Sequence, residues 1–412
     1  MSIKFLHTSD WHIGRTLYGK RRFAEFENFF AWLVETVKEN SIDVLLVAGD
    51  IFDNATPSNR AQEIYYDLLH QAAASKCRHI VIIGGNHDSP TFLDAPKSLL
   101  KSLNVHVVGS ITPDTPEDEV LVLSDEQNLP EAIVCAVPYL RDRDIRTAIP
   151  GESIKDKGKN LIEGIRRHYQ RVGQVAEEKR RTLNVDVPIV GMGHLFAAGG
   201  KVEDGDGVRE LYVGSLAHVS GGIFPKCFDY VALGHLHIPQ RVGQQETIRY
   251  CGSPLPMGFG EAGQQKVVCM VEFEGTAPSV TQIEIPVFQE LKLLKGNWND
   301  ISQGIADLKA AGKNVWLDVV YDSAEVRASL RNDLEQEIDN SKIEILRVKN
   351  NRNIGVKPPD LGNEGKLPEL EPNEIFKQCL EAHQVPDEQI CDLRDAHKEI
   401  LASIVEQDTM SV

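Results

Sequence analysis

Short apolar runs that each end in a polar, glycine-flanked motif recur along this chain, and that pairing sharply limits the folds open to it. Residues 3–8 (IKFLHT), 42–48 (IDVLLVA) and 79–83 (HIVII) are the first three such runs. The last two are continuous rather than alternating, as expected of strands covered on both faces. Between the first two, Phe23, Phe26, Phe30, Leu33 and Val37 recur at helical spacing, and Pro57 with Ser58 opens a second helical stretch. A β-α-β-α-β order predicts an α/β layered domain whose core strands are largely parallel.

Beyond residue 119 the pattern becomes richer in strands, at 119–123, 132–137, 187–192, 229–233, 247–251, 266–273 and 280–285. One long helix, 160–181, interrupts them, with Ile162, Ile165, Tyr169 and Val172 on its apolar face. Residues 1–285 therefore read as one domain of two packed sheets. Residues 286–348 read as a smaller βαβαβ cap with α+β layering. Residues 349–372, rich in Gly, Pro and Asn, read as a linker. Residues 373–412 predict two short amphipathic helices. Their apolar face draws on Ile375, Phe376, Leu380, Leu393 and Ile400, and it buries little by itself.

Composition excludes several classes. The 412 residues are 42% hydrophobic and 25% charged, which excludes wholesale disorder. No window approaches 18 uninterrupted apolar residues, so no membrane-spanning helix is expected, and the first residues lack the apolar core of a secretory signal. Seven scattered cysteines without a CxxC pair favour a reduced, cytoplasmic setting. The net charge of −17 argues, taken alone, against nucleic acid.

The motifs that follow the strands carry the chemistry. They are Asp10-x-His12, Gly49-Asp50, Gly85-Asn86-His87-Asp88, Gly193-His194 and Gly234-His235-x-His237. Loops at the carboxyl ends of strands are where layered α/β folds bind ligands. Each motif alone is unremarkable: a lone Gly-His is usually a loop histidine, and Asn and Asp are common in turns. Five in this order are specific. Carboxylates and imidazoles crowded at one sheet edge need neutralising, and divalent cations do so while using them as ligands. Mixed oxygen and nitrogen donors suit Mn²⁺, Fe²⁺ or Zn²⁺, and the lack of Cys argues against a structural zinc site. A carboxylate shared by two metals would hold them roughly 3.5–4 Å apart, the separation used in phosphoryl transfer.

These residues resemble the signature order DxH, GDxxD, GNHD, GH and GHxH of the calcineurin-like metallophosphoesterases. TSDWHIG, AGDIFD, LGHLH and YCGSPLPMGF are similar to the branch of that superfamily whose members are DNA nuclease subunits. The resemblance covers the whole chain. It implies a two-sheet metallophosphoesterase fold with a cap, and two-metal hydrolysis of phosphodiesters, most commonly with Mn²⁺. It implies that Asp10, His12, Asp50 and His237 hold one metal, and that Asp50, Asn86, His194 and His235 hold the other. It implies that His87 acts near the scissile phosphate and that Asp88 orients His87 or a ligand. Asp53 receives only a weak supporting role, since some relatives carry His there. The resemblance further implies an ABC-type ATPase partner bound by the terminal helices, double-stranded DNA ends and hairpins as substrates, a homodimer, and a cytoplasmic, nucleoid-associated location without membrane contact.

DNA contacts are expected from basic residues outside the centre. Residues 141–181 hold 12 Lys and Arg against 7 Asp and Glu, a local +5 in a chain of −17. Arg141, Arg143, Arg166 and Arg167 are the candidates there, although charge runs are often only solvated faces. Tyr18, Lys20, Arg21 and Arg22, which follow a catalytic motif, form a second group. Two rival readings remain. A phosphatase or phosphodiesterase for small substrates would need neither cap nor tail. A non-catalytic scaffold would not need a complete ligand set.

Overall fold

The computed structural model describes residues 2–112, 114–145, 153–196, 221–323, 327, 329–350, 376 and 380. Two six-stranded sheets form its centre. The first runs in the order Ala277–Glu284, Val267–Glu274, Ser2–Thr8, Val44–Ala48, His79–Ile83, Val105–Val108, and its last four strands are parallel. The second runs in the order Gln240–Val242, Gln245–Tyr250, Tyr230–Gly234, Ile189–His194, Pro130–Ala136, Val120–Ser124, with its four inner strands parallel.

The apolar runs explain the layering. Successive strand side chains point to opposite faces. Phe5, Val44, Leu46, Val81 and Ile83 meet Val134, Val190, Met192, Tyr230 and Ala232 in the core between the sheets. Their neighbours Leu6, Leu45, Val47, Ile80 and Ile82 pack outward with the helices Phe23–Glu39 and Asn59–Ala73. Ile133, Cys135, Ile189, Val231 and Leu233 pack outward against the helix Ile154–Leu183. A one-residue register slip would exchange two apolar faces for each other, so it is the cross-strand pairing and the polar strand ends that set the register. His7 adds a polar tie across the seam: Nδ1 lies 3.0 Å from the Tyr230 hydroxyl and Nε2 3.2 Å from the Leu233 carbonyl. Burial drives this imidazole down to about 3, so it is neutral at ordinary pH.

A three-stranded parallel sheet, Glu290–Gly296, Val315–Tyr321 and Ile343–Asn350, carries the helices Trp298–Ala310 and Leu330–Glu337. Asn297 caps the first of these with a reciprocal capping box to Asp300. Ile301, Ile305, Leu317, Val319 and Leu334 form its core. The expected boundary near residue 285 falls between Ala277–Glu284 and Glu290–Gly296. A second unit comprises 322–326 and 351–412. Phe376 and Leu380 are its described helical residues, and Leu380 is buried. Ile375, Leu393 and Ile400 lie outside the described residues.

The long helix begins at Ile154 rather than at 160. Its first turns, KDKG, carry no apolar periodicity, but Ser153 accepts the Asp156 amide at 3.1 Å and caps it. The hairpin of Thr16–Leu17 and Lys20–Arg21 has no signal in the sequence, because two-residue strands are too short to show a period.

Candidate metal centre

All five motifs meet where the carboxyl ends of the two sheets come together. The loops are laced by backbone hydrogen bonds: the Asp10 amide to the Gly49 carbonyl at 3.0 Å, His12 to Asp50 at 3.0 Å and Ile13 to Ile51 at 2.9 Å. Asp10, His12, Asp50 and His235 all hold positive φ, between 49° and 106°. Each costs roughly 1–3 kcal/mol, strain that accumulates at functional sites. Gly49 also has φ of +86°, and a β-carbon there would collide with the His194 ring.

The side chains form two groups around Asp50. Asp10, His12 and His237 lie on one side, buried, with His12 Nε2 and His237 Nε2 3.2 Å apart. Asp50, Asn86, His194 and His235 lie on the other. Asn86 Oδ1 is 3.0 Å from both His194 Nε2 and His235 Nδ1. Asp50 Oδ2 is 3.3 Å from His194 Nε2 and 3.6 Å from His12 Nε2, so it faces both groups. His194 Nδ1 stands 2.9 Å from the Ala48 carbonyl, which can only accept. In the neutral ring that leaves a lone pair on Nε2, pointing at two further acceptors. Three convergent acceptors, from buried Asp50 and His194 and half-buried Asn86, fit a cation, which tests the donor set on its own chemistry.

The titration behaviour says the same. Burial opposes the His194 imidazolium, yet the Asp50 and Asp10 carboxylates outweigh it and raise the group to about 9. Burial, with His194 beside it, lowers His235 to about 3. Burial holds His12 well below its ordinary value. Burial raises Asp10, whereas for Asp50 the neighbouring histidines prevail over burial and hold its carboxyl well below the usual range. Without a cation the site keeps a proton where a metal would put positive charge.

His87 is 8% exposed, and its Nδ1 donates to the Asp53 carbonyl at 2.8 Å. The expected role of Asp88 needs correction on one point. Its carboxylate accepts the amides of Ile51 at 3.1 Å, Phe52 at 3.0 Å and Gly85 at 2.9 Å, so it ties the Asp50 loop to the Asn86 loop rather than orienting His87. Burial and Asp50 raise it to about 6 against the pull of those amides.

In the basic group after the first motif, the expectation for Arg22 is corrected. Arg22 is 2% exposed, doubly bonded to Glu25 and donating to the Pro256 carbonyl, so it cannot reach DNA. Tyr18 stacks on Phe259 and lies under the Arg347 guanidinium. Lys20 pairs with Glu344 at 2.6 Å and sits over Trp316. These two side chains fasten the cap sheet to the two-sheet core. Arg21 is exposed, as are Arg143 and Arg167; Arg141 is half-buried and Arg166 pairs with Glu163 at 2.6 Å. Sequence reading missed Glu261 and Lys266, a buried ion pair behind His237. Only their nearness to the YCGSP segment hinted at them.

A family model described as calcineurin-like phosphoesterase matches residues 3–239, and one described as the type 5 capsule protein repressor C-terminal domain (SbcD_C) matches 287–384. The chain is 32% identical over 390 residues to the SbcD subunit of nuclease SbcCD from Escherichia coli K12, covering 94% of this chain and 95% of that one. The chain belongs to the SbcD family. Its counterpart in Rhodobacter capsulatus is 35% identical over 67% of both chains, and that in Bacillus subtilis 31% identical over 81% of both. As an SbcD-family member it is a metal-dependent phosphodiester hydrolase, a nuclease with the calcineurin-like fold. No helix among its described residues is long and apolar enough to cross a membrane.

Proposed function

We propose that this chain is the Mn²⁺-dependent nuclease subunit of an SbcCD-type complex. It acts as an exonuclease on double-stranded ends and as an endonuclease on single strands and hairpins, under the control of an SbcC-like ABC-type ATPase. Its setting is DNA end processing, recombination and replication in the cytoplasm, on the nucleoid, as a homodimer. The observation that carries the catalytic reading is the convergence of His194 Nε2, Asn86 Oδ1 and Asp50 Oδ2 on one point.

Asp10, His12, Asp50 and His237 would hold one divalent ion, and Asp50, Asn86, His194 and His235 the other. Bound there, the pair would supply charge neutralisation at phosphorus and activation of water for in-line attack. The chain supplies the rest. Asp50 spans both groups, and Asp88 keeps its loop against the Asn86 loop. The Asp53 carbonyl fixes the His87 ring through Nδ1, leaving Nε2 to hold or deliver a proton to the leaving oxygen.

Arg21, Arg141, Arg143, Arg166 and Arg167 would take DNA phosphates. Arg141 lies two residues beyond Tyr139, whose amide bonds the Gly84 carbonyl beside the GNHD loop. Residues 373–412 would bind the ATPase. The deciding assay uses hairpin and end-blocked duplex DNA with and without Mn²⁺, the ATPase and ATP. Mn²⁺-dependent opening of the hairpin is expected. Hydrolysis of a small phosphodiester without any cleavage of DNA would overturn the reading.

A further inference from the structure

Behind the first group of ligands lie two carboxylates, each held by a cation and each aimed at the rear nitrogen of one histidine. Glu261 is fully buried. Its Oε2 pairs with Lys266 and accepts the Met257 amide at 3.2 Å. Lys266, 3% exposed, also donates to the His237 carbonyl at 3.1 Å and to Ser253 Oγ at 3.3 Å. Glu261 is thereby immobilised, and its other oxygen, Oε1, has no hydrogen-bond partner and stands 3.7 Å from His237 Nδ1.

The arrangement repeats at His12. Its Nδ1 is buried without a hydrogen-bond partner and stands 3.7 Å from Asp53 Oδ1. That same oxygen accepts from Arg15 at 3.1 Å. Both separations exceed a hydrogen bond by a few tenths of an ångström. A buried polar atom left unpaired is costly, so a small ring movement that closes either gap is favoured.

The ring chemistry gives the arrangement its meaning. A neutral imidazole carries one proton. His12 Nε2 and His237 Nε2 face each other across 3.2 Å beside Asp10, and both can present lone pairs there only if both protons sit on Nδ1. Glu261 and Asp53 are the acceptors for those protons. At the other group the Ala48 carbonyl does the same for His194. An ion-paired carboxylate is the stronger acceptor and raises the basicity of the ring it backs.

We propose that Glu261, held by Lys266, and Asp53, held by Arg15, are positioning residues that fix the Nδ1-protonated tautomers of His237 and His12 and so turn both Nε2 lone pairs toward one divalent cation. The inference rests on the reading that Asp10, His12 and His237 hold a metal.

The test titrates Mn²⁺ into the metal-free full-length chain and follows the signal of free Mn²⁺ by electron paramagnetic resonance. Two variants are used. Glu261→Gln with Lys266→Met removes both buried charges at nearly constant volume. Asp53→Asn alters a side chain that is 26% exposed and leaves its backbone carbonyl in place. In each, one of two sites should weaken by about 10–100-fold while the other is unchanged. Nitrogen-15 spectra of the Zn²⁺-loaded wild type should show Nδ1–H tautomers for both rings, a result that a merely structural role would not require. Two wild-type affinities in Asp53→Asn, or in a double variant with a wild-type metal-free melting curve, overturn the inference alone. Should the double variant misfold, Asp53→Asn decides. Absence of metal binding in the wild type, or full binding by Asp10→Asn, overturns the metal reading and this inference with it.

Discussion

His87 donates its Nδ1 proton to the backbone carbonyl of Asp53, 2.8 Å away. The residue that fixes this ring thus does so through its main chain, and no side-chain substitution at 53 removes the bond. Replacing His87 itself does. His87→Ala is expected to lower kcat by about 10²–10⁴-fold. Mn²⁺ stoichiometry should stay at the wild-type value in equilibrium dialysis. Loss of metal together with turnover would show that His87 is a ligand.

Asp88 acts on the scaffold. Asp88→Ala leaves three amides, those of Ile51, Phe52 and Gly85, without their acceptor. A loss of at least about 2 kcal/mol in urea unfolding of the metal-free protein is expected. Activity should fall with it, because Asp50 and Asn86 sit on the two loops that Asp88 joins.

Metal affinity should depend on pH through His194. Its pKa is raised from 6.5 to about 9 in the metal-free chain, so at pH 7 the ring carries a proton that a cation must displace. Apparent Mn²⁺ affinity should climb by up to about tenfold per pH unit toward 9 and then level, with release of one proton from this ring. Calorimetry in buffers of different ionisation heat measures that release. Levelling near 6.5 would contradict the charged ring. The same shift stabilises the metal-free fold at low pH: its contribution is complete below 6.5 and is lost as pH rises through about 9.

Tyr18 bridges Phe259 and Arg347. Tyr18→Ala should cost about 1 kcal/mol of stability, through lost cation–π and stacking contacts. Hydrolysis of a small phosphodiester should remain unchanged, and the salt dependence of DNA binding should match the wild type. A reduced salt slope would return this residue to the DNA path.

Removing residues 373–412 should abolish association with the ATPase, measured by size-exclusion chromatography of the mixed subunits. Metal-dependent phosphodiesterase activity should survive. Unchanged complex formation would place the partner surface elsewhere.

The sheets and their polar ends were legible because their signals are local. Leu45, Val47 and Ile82 face one layer while Leu46, Val81 and Ile83 face the other, and both faces are apolar, so the runs stand out as blocks. Each ligand motif directly follows such a block. What escaped depends on side-chain partners, near or distant in sequence, that periodicity does not reveal. Arg22 looks like its exposed neighbour Arg21, and only the folded chain brings Pro256 to it. Glu261 reads as one acid among many until Lys266 and His237 close around it. The hairpin at 16–21 takes its identity from the cap strands Val315–Tyr321 and Ile343–Asn350, some 300 residues later.

The candidate ligands are divided between two sheets, and that division imposes an order of events on synthesis. Asp10, Asp50 and Asn86 leave the ribosome more than 100 residues before His194, and His237 comes last. The first sheet also waits for Val267–Glu274, which pairs with Ser2–Thr8. A nascent chain at that stage holds the carboxylates, the amide and the His12 imidazole but no finished centre. Completion of the hydrolytic centre is thereby delayed until well over half of the chain is made.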